Sequence, residues 1–525
     1  MATITTTDEQ LSYEYTREST PQSRSIPMLL IVIAAAASAL TAIGGVVFGY
    51  TMVVGAVLAG VVLVLAFIRS EVATQAVIFV LYSNLSVILI NQGLPAEIAG
   101  SFFLLLGVPL MKYLFVKREP LIITPVLILM IAHIGALLLS AAFAERPQNS
   151  FGRISSFVLE GLVLYFLVIN TVRTEALLRK AIWMVLLAGF AMGSVTLYQG
   201  LTGSYDNDFG GWAQVSESET GVGAEDFLGN QPTAPRVSGP IGEKNRFAQI
   251  LIVLLPLAIG RFWAEQDIKL RLLGALSIVP IVGGALLTFS RGAGIGLVVT
   301  LVALMFVRML PVRYVLLTAV AIIVVGVGLV PGYLYRITNL DFAGIASGDV
   351  SEADTSVQGR MTQYITATYM IRDNPILGVG PGQASRYITD YARGIGFRVL
   401  STGRRIHNMY LEEMVDTGML GFGLLMATIG VTFIQLGMFR VRYRLTRPDI
   451  VYTASSLMLS IVAYLATAMF LHLAYMRFFW AIMALAGAAI SVWTGLMEVP
   501  PPKRALLAGH ARKPVAAPVN PVTTN

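Results

Sequence analysis

The chain has 525 residues, of which 56% are hydrophobic and only 13% charged; a soluble domain carries roughly 25% charge, so a string of soluble domains is excluded. The net charge of +7 does not imply nucleic acid, because cytoplasmic loops of membrane proteins collect Lys and Arg. The absence of cysteine removes disulfides, thiolate nucleophiles and cysteine metal sites.

The composition predicts an all-α polytopic membrane protein, with membrane lipid as its first partner. Residues 1–27 carry Asp8, Glu9, Glu14 and Glu18 and no basic n-region. They read as a disordered cytoplasmic tail, and the next apolar stretch as a retained span. Stretches of spanning length follow near 28–48, 51–68, 73–91, 97–116, 121–143, 153–171 and 181–200, an N-terminal bundle over 28–200. A polar loop covers 201–245. Further spans near 246–263, 272–290, 293–308 and 314–331 occupy 246–331. A second, larger loop covers 332–410. Spans near 411–436, 450–470 and 477–496 fill 411–498, and the proline-rich tail 499–525 reads as disordered. The total is about fourteen spans.

Sidedness follows from the basic residues. With the N-terminus inside, every inner segment holds Arg or Lys, among them Arg69, Lys117, Arg179, Arg261 and Arg440. The short outer turns hold few. Both long loops then lie outside, where length exempts them from the charge rule.

The first loop is rich in Gly, Ser and Asp. Its Asp206-Asn207-Asp208 has the look of a calcium loop but lacks the later Glu such a loop needs, so no metal site is expected. The second loop holds Arg336, Arg360, Arg372, Arg386, Arg393, Arg398, Arg404 and Arg405 and no lysine. Arg prevails over Lys along the whole chain, so the informative fact is that positive charge persists outside. Guanidinium forks suit phosphate or carboxylate. Two short helices are predicted inside this loop, over 356–371 and 383–393. Such amphipathic helices can lie on the membrane surface or cover a cavity. At Ser290-Arg291-Gly292 one span ends and the next begins, leaving Arg291 near the outer interface. It is either a snorkelling anchor or a charge aimed at a site.

The chain has four histidines. His133 lies inside a span, His472 near an outer end and His510 in the tail. His407 stands where the arginine-rich loop re-enters the membrane. By residue type alone it is open whether His407 is structural or accepts a proton.

The residues around it carry a resemblance. His407-Asn408 is followed after nine residues by Gly418-x-x-Gly421. Upstream, in order, stand Arg236-x-x-Gly239 with Asn245-x-Phe247-Ala248, then Thr288-Phe289-Ser290-Arg291-Gly292. Gly359-Arg360 and Asn374-Pro375-Ile376-Leu377-Gly378-Val379-Gly380 complete the series. This order resembles the O-antigen ligase and polymerase superfamily of bacterial membrane glycosyltransferases, closely over about 235–425. The resemblance implies a multi-pass protein of the inner membrane with its active site facing the periplasm. It implies an undecaprenyl-pyrophosphate-linked glycan as donor and a glycan or glycolipid hydroxyl as acceptor. In that reading His407, Arg291 and Arg360 are catalytic. Arg236, Asn245, Arg246, Arg404, Arg405, Asn408 and Tyr410 bind substrate, and no cofactor or metal is needed. The span count exceeds that of the ligases and keeps the polymerase reading open, as it does transfer to a protein side chain. A lipid-linked oligosaccharide flippase is the alternative of another class. It predicts two related halves, which the sequence lacks.

Overall fold

The computed structural model describes residues 60–93, 102–216, 236–316, 320, 355–393, 405–472 and 476–498. The expected span 28–48, the first half of 51–68, most of 314–331, the middle of the first loop and both tails lie outside the described residues. So do parts of the second loop, Arg404 included. The chain forms two compact units, Met1–Ile68 and Arg69–Asn525. In the first, Gly60–Ile68 is helical; all that follows concerns the second.

Among the described residues, eight helices are long and apolar enough to cross a membrane. The protein is an all-α, multi-pass membrane protein. The helices start at α1 (Ser70–Tyr82), α2 (Leu85–Asn91) and α3 (Phe102–Val116). Next come α4 (Pro125–Ala142), α5 (Pro147–Thr171) and α6 (Glu175–Thr202). Two short strands, β1 (Gln214–Ser216) and β2 (Arg236–Gly239), pair antiparallel. Then follow α7 (Lys244–Ile252), α8 (Leu255–Ala264), α9 (Ile268–Leu286) and α10 (Arg291–Phe306). The loop helices are α11 (Thr355–Asp373) and α12 (Ala384–Tyr391), and the last spans are α13 (Met409–Arg442), α14 (Pro448–Ala468) and α15 (Met476–Glu498).

Local chemistry sets the boundaries. Thr124 caps α4 by accepting from the Leu127 N–H at 3.2 Å, with Pro125 in the first turn. Thr174 caps α6 in the same way at 3.2 Å, and Gly203 ends it with φ 68°. The span expected over 246–263 is one candidate span, Lys244–Ala264, with a turn at Val253-Leu254 between α7 and α8. Pro256 has no N–H to continue the ladder at this point. The expected span 73–91 is broken at Asn84, whose φ is 60°.

The helices bury one face and leave the other apolar and open. On α9, Gly274, Ser277, Ile281 and Ala285 face inward, while Leu272, Leu276 and Val279 are exposed. An exposed stripe of this kind is what a lipid-facing helix presents. The strand pair is a feature the sequence reading missed. In the first loop, Asn207 and Asp208 accept the N–H groups of Phe209 (2.8 Å) and Gly210 (3.0 Å), so they are turn formers.

The two loop helices were predicted within a few residues of their observed ends. They share a small core of their own: Ala367, Met370, Ala384, Ile388, Ala392 and Ile406 close around Val415 of α13. They are therefore docked on the start of α13.

Candidate functional site

The site is built on a broken helix. α13 is interrupted at Gly418, with φ 63° and ψ −167°, a region open essentially only to glycine. The segment Pro375–Gly380 lies in the gap. The Met419 and Leu420 N–H groups donate to the carbonyls of Pro375 (2.8 Å) and Ile376 (3.3 Å). In return Val379 and Gly380 donate to the carbonyls of Val415 (2.8 Å) and Asp416 (3.0 Å). A Cβ on Gly418 would collide with the Ile376 backbone, and one on Gly378 with the Val415 carbonyl. The glycines of the two motifs are thus a matched pair that lets two backbones touch. The buried Asp416 carboxylate finishes the joint by accepting the N–H groups of Gly382 (2.8 Å) and Ala384 (3.1 Å) at the start of α12. Ser140 of α4 donates to the Leu377 carbonyl at 2.6 Å and so ties the joint to the bundle.

At the top of this half-helix stands His407. Asn408 caps α13 through its side-chain oxygen, which accepts from the Tyr410 (3.0 Å) and Leu411 (3.1 Å) N–H groups. The His407 backbone is pinned on both sides by α11. Its N–H donates to Gln363 Oε1 at 3.1 Å, and its carbonyl accepts from the Tyr364 hydroxyl at 3.3 Å. The ring is oriented as well, because Nδ1 contacts the Arg405 carbonyl at 3.0 Å. A carbonyl only accepts, so Nδ1 carries the hydrogen in that contact and the lone pair of the neutral ring sits on Nε2.

Positive charge gathers around this ring. Arg360 is one turn before Tyr364 on α11 and acts electrostatically on its hydroxyl. Burial nonetheless raises that phenol above its ordinary pKa. Arg405 is exposed. Arg246 is buried, donating to Gln249 Oε1 at 2.9 Å and to the His472 carbonyl. The His472 ring meets that of His407 edge to face, with centroids 5.5 Å apart. Arg291 is half-buried at the first turn of α10, where Ser290 caps the helix. The next residue, Gly292, packs against Phe470, two positions before His472. Arg291 therefore opens on the same end of the bundle, where the helix dipole adds positive potential.

Several of the expected site residues have contacts within the protein. Arg236 donates to the Thr288 and Phe289 carbonyls, both at 2.9 Å, and so sets the turn that presents Arg291. Tyr410 donates to the Leu465 carbonyl at 2.8 Å. Arg236, Arg246, Asn408 and Tyr410 thus have protein partners and shape the site. Asn245 donates its backbone N–H to Glu243 at 3.0 Å, in the cap of α7. His407 and Arg405 both act on His472, and Arg360 acts on the Tyr364 hydroxyl that bonds the His407 carbonyl.

Two features escaped sequence reasoning. One is His472, which carries no motif. The other lies below the mouth. Glu413 is buried between His133 of α4 (3.4 Å) and Arg153 of α5 (3.4 Å), with Glu412 and Asp416 acting on the same guanidinium. His133 also meets the Gly421 carbonyl at 3.1 Å. It thereby joins α4 to α13. A charged residue inside a span is a signal that sequence alone could have raised.

Residues 276–426 match the family model described as O-antigen ligase. Over these residues the chain is similar to the O-antigen ligase superfamily. The match starts within α9 and ends just past the break in α13, so it contains Arg291, Arg360, His407 and the glycine joint. No curated protein matches the chain.

Proposed function

We propose that this O-antigen ligase-like chain transfers a glycan from undecaprenyl pyrophosphate to an acceptor hydroxyl at the periplasmic face of the bacterial inner membrane. One observation carries the reading: an oriented histidine ring stands among arginines at the mouth of a locked half-helix. The acceptor O–H gives its proton to His407 Nε2 as its oxygen attacks the anomeric carbon. The bond from that carbon to the pyrophosphate oxygen breaks, and its electron pair leaves with the lipid pyrophosphate. Arg291 and Arg360 take up the developing charge, the role a divalent ion has in many transferases. Attack from the back side inverts the anomeric configuration.

The acceptor class stays with the experiment. Purified protein is given one synthetic undecaprenyl-pyrophosphate-linked glycan and, in turn, a lipid A core, a second lipid-linked glycan and a serine-containing peptide. Release of undecaprenyl pyrophosphate coupled to one acceptor supports the reading and separates ligase from polymerase. No release with any acceptor, with transbilayer movement of the donor in vesicles instead, would establish the flippase.

A further inference from the structure

His472 belongs to no motif, yet it touches both halves of the site. Its carbonyl takes the Arg246 guanidinium and its ring faces His407. The ring nitrogen Nδ1 is buried and has no hydrogen-bond partner among the described residues. A buried polar atom left unmade is costly, and a phenyl ring would fill the same space without that cost. A nitrogen retained at such a place is one that some state of the protein uses.

The state in question follows from the two rings. In the resting site His407 Nδ1–H is spent on the Arg405 carbonyl, and Nε2 presents a lone pair. Two lone pairs do not bond. Once Nε2 has taken a proton it becomes a donor, and at a centroid separation of 5.5 Å a modest ring rotation brings nitrogen to nitrogen within reach. We propose that His472 is a positioning residue of the transfer reaction, whose Nδ1 accepts a hydrogen bond from His407 only when His407 is protonated. An interaction made only after proton transfer begins favours the transition state over the resting state. The inference rests on His407 being the general base.

The surroundings keep His472 ready to accept. Its pKa lies well below the ordinary imidazole value, first through burial, then through the positive charge of Arg246, Arg405, His407 and Arg153. The ring is therefore neutral at working pH, with a lone pair available. Tyr364, with Arg360 beside it, faces His407 from α11. No carboxylate is among the groups acting on His472.

The test uses the full-length protein and the synthetic undecaprenyl-pyrophosphate-linked glycan, with the acceptor that supports turnover. His472→Phe keeps the ring and removes the acceptor. It is expected to lower kcat about tenfold or more with donor binding unchanged. The acid limb of the rate profile should move to lower pH, because an imidazolium without its acceptor is easier to deprotonate. His472→Gln, whose amide oxygen accepts, should recover part of the rate. In a His407→Ala background His472→Phe should cost nothing more. A His472→Phe enzyme with wild-type rate and acid limb would overturn the proposal, and so would equal losses in the two backgrounds. If His407→Ala itself keeps full activity, the general-base reading fails first.

Discussion

Replacing Gly418 by alanine tests whether the broken helix holds the site together. Gly418 has φ 63° and ψ −167°, a conformation that costs another residue about 1–3 kcal/mol. The added Cβ would also meet the Ile376 backbone, which no rotamer change relieves. Moving that backbone away loosens the Met419–Pro375 and Leu420–Ile376 hydrogen bonds, roughly 1 kcal/mol each. The sum is about 3–5 kcal/mol, which is about 10²–10³ or more in the equilibrium for opening the joint. Hydrogen exchange read by mass spectrometry on the 374–384 peptide reports it directly, because the Val379 and Gly380 amides are bonded across the gap. Exchange there should accelerate by that factor, and transfer activity should fall with it. Gly423→Ala, five residues further along the same helix, is the control: a Cβ there meets nothing within 4 Å. If Gly418→Ala exchanges and turns over like Gly423→Ala, the joint does not organise the site.

His407→Ala should abolish turnover by roughly 10²–10⁴ while leaving donor binding nearly intact, and the wild-type rate should fall on acidification as the imidazole is protonated. Donor affinity lost in proportion to rate, measured by titration with the lipid-linked glycan, would make His407 a phosphate ligand instead. Arg291→Lys and Arg360→Lys keep the charge but lose the bidentate fork; each should lose about 10²–10³ in kcat, and full activity in both would reduce them to anchors. EDTA should leave the rate unchanged if guanidinium groups carry the leaving-group charge; loss with EDTA and rescue by Mg²⁺ or Mn²⁺ would show that they do not. Single cysteines at Ser347 and Thr523 in this cysteine-free chain should label from opposite sides with an impermeant thiol reagent in intact cells, and labelling of both from outside would overturn the orientation.

Burial in lipid is a one-dimensional problem, and the sequence alone determined its solution. Every apolar stretch within the described residues became helix, because a backbone in hydrocarbon must satisfy its own hydrogen bonds. The two loop helices were legible because Met361, Ile365 and Tyr369 recur at helical spacing. The motif order pointed to His407, Arg291 and Arg360 because chemistry fixes residue types. What only the tertiary structure decided is what those motifs do. Gly378 meets the backbone of residues 415–417 and Gly418 that of residues 376–377, about forty residues away in the chain. No local pattern records that one carbonyl needs the other's missing Cβ. Arg236, Arg246 and Tyr410 look like substrate ligands in sequence, and each also bonds a protein group that only folding brings near. His472 was silent for the same reason. An isolated His or Glu carries no information about its partner until helices from distant parts of the chain pack side by side, and burial then makes an unmet charge too costly to leave.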